Sequence, residues 1–125
     1  MNVTKWIPNT AWGATITVGT ITSTGIVTVQ LNDFAGNALT VRQGVMVYIT
    51  TDALGQTIEA LGAEAVVATH GICNVVTATS VYYCISEITG IFALTLDGDG
   101  AVSNYLHVVL PNGQIVSSGV ITFTS

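Results

Sequence analysis

The sequence predicts an all-β domain, a sandwich of seven to nine short antiparallel strands with an N-terminal arm. Apolar and polar residues alternate at a period of two in several runs, most cleanly where Val27, Val29 and Leu31 interleave with Thr28, Gln30 and Asn32. Turn-forming residues punctuate those runs at short intervals. Helical periodicity is absent between breakers: EALGAEAVVAT, residues 59–69, comes nearest, but Gly62 interrupts it and the segment reads as loop plus strand.

Residues 1–24 stand apart from the remainder, because Trp6 and Trp12 fall there with Lys5, Pro8 and Gly13 before any sustained alternation. Two readings fit them. In one, Ala14 to Val18 is a first strand preceded by a frayed tip. In the other, the segment is a docking arm with Trp6, Ile7 and Trp12 at an interface, since tryptophan is a favoured anchor. The docking reading predicts that deleting residues 1–13 leaves a folded β domain that no longer joins its assembly.

Residues 25–125 form the sandwich domain. After the strand around Val27 to Leu31, Asp33-Phe34-Ala35-Gly36-Asn37 makes a corner, and Val45, Val47 and Ile49 alternate with Met46, Tyr48 and Thr50 in a second strand. A short piece at Gln56 to Ala60 follows. Ile72 to Ala78 and Val81 to Ser86 pair about Ala78-Thr79-Ser80. A symmetric turn there sets Cys73 opposite Cys84, where a cross-strand disulfide is geometrically conceivable, although a reducing cytoplasm argues against it. Ile91 to Leu96 puts Phe92, Leu94 and Leu96 on one face. The clearest hairpin closes the chain, with Tyr105 to Leu110 and Gln114 to Phe123 flanking the tight-turn sequence Pro111-Asn112-Gly113. The expected core includes Val27, Val29, Leu31, Val47, Phe92, Leu94 and Leu110.

The 125 residues suit one domain. Only 7% of them are charged, against about 25% in ordinary soluble domains. Either Thr, Ser, Asn and Gln wet the surface without charge, or much of it is buried against partner chains, and the second accounts better for so few charges. With a net charge of −5 and only Lys5 and Arg42 as cations, phosphate neutralisation has no footprint, which excludes direct nucleic-acid binding. No apolar run approaches the roughly 20 residues of a membrane helix. The start MNVTKWIPNT has neither the basic nor the apolar region of an export signal, so the expected site of synthesis and folding is a cytoplasm.

Motifs for chemistry are weak. Asp97-Gly98-Asp99-Gly100 offers two carboxylates to a hard cation, but Ala101 and Val108 stand where a calcium loop needs oxygen ligands, and the four residues read as a turn. His70 and His107 lack zinc-site spacing, and His107 reads as a structural histidine with its hydrogen bonds satisfied. There is no nucleophile elbow, no phosphate-binding glycine loop and no evident pair of catalytic carboxylates. The reading is therefore non-enzymatic, with no catalytic, cofactor-binding or metal-binding residues.

VTVQLNDFAGNAL, from Val27 to Leu39, followed by VMVYITTDALGQ, from Val45 to Gln56, resembles the opening of bacterial immunoglobulin-like domains of the invasin and intimin type, with the corner carried by Asp33, Gly36 and Asn37. The order of GIFALTLDGDG, YLHVVLPNG and VSSGVITF is similar to the second half of small immunoglobulin-like proteins encoded among tailed-phage virion genes. The resemblance implies an immunoglobulin-like sandwich with a structural role and no catalytic residues. The expected function is that of a capsid decoration or cement protein on the outer surface of a phage head, assembled in the host cytoplasm. Its partners would be the major capsid protein or another virion protein, with homo-oligomers expected. The alternative is a tail or fibre module contacting a host-surface glycan or protein, for which Phe34, Tyr82 and Tyr83 are the candidate exposed aromatics.

Overall fold

The computed structural model describes residues 10–58, 67–78, 80–97 and 102–124. Within them run β1 (Gly13–Val18), β2 (Thr24–Asn32), β3 (Gly44–Thr50), β4 (Val67–His70), β5 (Ile72–Thr77), β6 (Val81–Ile85), β7 (Ile91–Asp97), β8 (Ser103–Val109), β9 (Ile115–Ser117) and β10 (Ile121–Thr122). None of the described residues forms a helix long and apolar enough to cross a membrane.

The strands make a four-stranded sheet, β1-β2-β7-β4, and a six-stranded sheet, β10-β8-β3-β6-β5, with β9 also paired to β8. All pairings are antiparallel. If β1, β2, β3, β4, β7 and β8 are strands A to F, and β9 with β10 a divided G, the sheets are A-B-E-D and G-F-C, the order of an immunoglobulin-like sandwich. The β5–β6 hairpin, inserted between D and E, extends the second sheet past C. The fold is the all-β sandwich that the alternation predicts.

Alternation also selects the core. Val27, Val29 and Leu31 of β2 and Phe92, Leu94 and Leu96 of β7 face Val45, Val47 and Ile49 of β3 and Leu106 and Val108 of β8, all buried. Each such side chain contributes about 1.5–3 kcal/mol on burial. Every residue expected in the core, Leu110 included, is there.

Three junctions need local explanation. β1 pairs with β2 from Gly13↔Asn32 to Val18↔Val27, so Ala14 to Val18 belongs to the sandwich. Ala11 is buried, and the Trp12 N–H donates to the Asn32 carbonyl at 2.9 Å. A deletion through residue 13 would therefore remove one core side chain and one backbone bond of the sandwich along with the arm. Gly71 joins β4 of one sheet to β5 of the other at φ +76°, and a Cβ there would lie 2.5 Å from the Ile85 carbonyl oxygen. The final run divides at Ser118, because pairing shifts between His107↔Ser117 and Asn104↔Ile121. The Ser118 hydroxyl fills the gap, accepting from the Leu106 N–H at 2.9 Å and donating to the Gly119 carbonyl at 2.7 Å.

Candidate functional site

The two sheets present opposite kinds of outer surface. On the four-stranded sheet the outward residues of β1 and β2 are Thr15, Thr17, Thr28, Gln30 and Asn32, with Ile26 among them, and Thr95 continues the polar face on β7. Apart from Ile26, these are hydrogen-bonding side chains without charge.

The six-stranded sheet differs. Its register lines up Ser117, His107, Tyr48 and Val81 in one cross-strand row, and Ile115, Val109, Met46, Tyr83 and Asn74 in the next. Both rows face away from the core, since the row between them holds buried Val108, Val47 and Tyr82. No Asp, Glu, Lys or Arg stands in either row. Met46, Tyr48, Val81 and Val109 line a groove of about 420 Å³, walled on one side by Gly55, Gln56 and Ile58.

That wall is built by the loop after β3. Thr51 N–H bonds to the Thr57 carbonyl and Ile58 bridges back to Thr50, so the chain doubles over the sheet. Asp52 holds the bend through the backbone N–H groups of Gln56 (3.1 Å) and Thr57 (2.8 Å), and these bonds keep its carboxyl below the usual carboxylate range. Gly55 is required where the loop touches down. Its φ is +74°, and a Cβ would lie 2.7 Å from the Tyr48 hydroxyl and 3.2 Å from the His107 ring. The Tyr48 hydroxyl donates to the Gly55 carbonyl at 3.1 Å.

Beneath the loop, His107 is fully buried and stacked on Tyr48 with ring centres 4.9 Å apart. Its tautomer follows from its partners. Thr50 spends its only hydroxyl proton on the Asp52 carbonyl (2.6 Å), so at His107 Nε2, 2.7 Å away, the Thr50 oxygen accepts. Nε2 then carries the proton, and Nδ1 accepts from the Ser117 hydroxyl at 2.6 Å. Burial holds the His107 pKa below its ordinary value. This is the satisfied structural histidine expected from sequence, and it stiffens the groove.

Of the expected contact residues, Trp6 and Ile7 lie outside the described residues. Trp12 packs edge-on against Phe34, with ring centres 5.3 Å apart and planes at 84°, just before β1 and beside the corner that follows β2. Asp33 poises Phe34 by accepting from the Ala35 and Asn37 N–H groups at 3.0 and 2.9 Å. Phe34 is 61% exposed and Tyr83 40%, whereas Tyr82 is 1% exposed and points into the core, so it is no surface aromatic. Asp97 ends β7, and the rest of its Asp-Gly-Asp-Gly segment lies outside the described residues. Among the described residues no three His, Cys, Asp or Glu side chains converge on one point. A second hollow, lined by Arg42, Gly71, Ile72, Glu87 and Ile88, has beside it the His70–Glu87 pair at 2.9 Å.

Sequence reasoning missed the groove. Met46 and Tyr48 were legible as the off-core face of their strand, but nothing local marks that face as left bare by the loops.

These features define an immunoglobulin-like sandwich with one face wetted by hydroxyls and amides and one apolar. No family model matches the sequence, and no curated protein matches it significantly. In shape it is similar to a cohesin module from a family 33 glycoside hydrolase of Clostridium perfringens ATCC13124, with a TM-score of 0.48 and 11% identity over 92% of this chain and 98% of that one.

Proposed function

We propose that this chain is a non-catalytic assembly module that docks on other protein chains through the outer face of its six-stranded sheet. The observation that carries the reading is the uncharged double row with its groove of about 420 Å³. Exposed apolar surface of this kind is costly in water and is the usual composition of the centre of a protein interface. Within that class we assign it to the tailed-phage virion, as a decoration or cement protein on the outer surface of the head. The resemblance of Val27 to Leu39 and Val45 to Gln56 to bacterial immunoglobulin-like domains supports this, as does the sparse charge. Its partners are then the major capsid protein or a neighbouring virion protein, and repeated docking on a lattice makes weak single contacts sufficient.

The exposed Trp12–Phe34 pair favours a second reading, a tail or fibre module that contacts a host-surface glycan or protein. Cryo-electron microscopy of purified particles separates the two. Many copies on the head, seated through β3, β6 and β8, support decoration. A few copies at the tail with Trp12 and Phe34 outermost support the alternative, and absence from particles overturns both. The docking face has its own test: Met46→Glu with Val109→Glu should abolish incorporation while the purified variant keeps its β-sheet circular dichroism. Normal incorporation of that variant would sink the assignment of the face.

A further inference from the structure

Cys73 on β5 and Cys84 on β6 are directly opposed in the antiparallel register, and both thiols are free. Residues so opposed have Cα atoms about 4.5–5.5 Å apart, inside the usual disulfide window of about 4.4–6.8 Å. Cys84 is fully buried, while Cys73 is half-buried at the margin of the core. The strand that carries Cys73 is weakly held. β5 is the last strand of its sheet, its register slips between Val75 and Thr77, and Ile72, Val75 and Val76 are exposed.

We infer that Cys73 and Cys84 are a reversible redox staple, closing to a cross-strand disulfide that pins β5 to β6 when the folded protein meets an oxidised low-molecular-weight disulfide. The accessible Cys73 reacts first. Its thiolate attacks the external disulfide, forming a mixed disulfide and expelling one thiolate. Cys84 then loses its proton and attacks the Cys73 sulfur, expelling the second thiol. The protein has lost two electrons and two protons, and one external disulfide has become two thiols. Hydrogen bonding from the Cys84 thiol draws the Cys73 thiol below its ordinary value, and that contact together with burial pushes Cys84 up, in keeping with this order of attack. The inference does not depend on the proposed docking role.

The test is to incubate the folded protein with oxidised glutathione and read intact mass, oligomeric state and amide hydrogen exchange. The expected product is a chain lighter by two hydrogen atoms with no new covalent crosslink to another chain, whose β5 amides exchange at least about tenfold more slowly, and which dithiothreitol returns to the starting state. Cys84→Ser should stop at a glutathione adduct on Cys73. A wild-type protein that also stops at the adduct, forms disulfide-linked dimers, stays reduced, or closes the bridge without slower exchange in β5 would overturn the inference.

Discussion

The His107 relay shows how much one side chain is asked to hold. It ties β8 to β3 through Thr50 and to β9 through Ser117, and supports the loop that walls the groove. Thr50→Val removes the acceptor for a buried N–H, so we expect a loss of about 1–3 kcal/mol in urea unfolding. The titration has a definite sign. Because burial holds the folded-state pKa of His107 below the ordinary 6.5, the group is neutral in both states well above that pH and contributes no slope there. As pH falls below 6.5 the unfolded chain takes up a proton that the folded chain refuses, and stability declines until the folded pKa is passed. A series of urea midpoints should show this decline, and His107→Gln should flatten it. Asp52 acts in a separate window. Its contribution is present above 3.8 and is lost as pH falls through its lowered folded value.

At the scale of elements, the junction between β4 and β5 leaves no room for a side chain against the neighbouring backbone. Gly71→Ala places a side chain where φ is +76° and the Ile85 carbonyl is 2.5 Å away. Strain of that kind costs about 1–3 kcal/mol, which should appear as a lower thermal midpoint, whereas Gly113→Ala, at a turn with nothing near the added carbon, should cost less. The strands themselves were legible because alternation is local: Val27 to Leu31 and Phe92 to Leu96 display their core faces without reference to anything distant. Cys73 opposite Cys84 was legible too, by counting outward from a symmetric turn. The division between β9 and β10 was not, since Gln114 to Phe123 reads as one run and only the Ser118 hydroxyl, bonding across to Leu106, makes the break tolerable. Tyr82 was misplaced among surface aromatics because two adjacent tyrosines point to opposite faces, and composition does not say which. The groove depends on three strands meeting in a particular register, information no short window contains.

For the whole molecule, the contrast between its faces explains how so few charges suffice. Thr, Gln and Asn wet the four-stranded sheet, while the outer rows of the six-stranded sheet carry no charge and form the face we propose for docking. Binding through that surface should change little between low and high salt and carry a negative heat-capacity change, both read by calorimetry against the partner once identified. A strongly salt-weakened interaction would point instead to the hollow beside Arg42 and Glu87. The divided last strand bears on a different matter. At the margin of the six-stranded sheet it leaves pieces of three and two residues out of step with each other, which give an incoming strand no continuous ladder. Among the described residues, only β5 then offers that sheet a strand of useful length for edge pairing. In polymer terms the described part of that sheet is monofunctional: two copies joined through β5 would consume each other's open end and leave no described edge of useful length for a third.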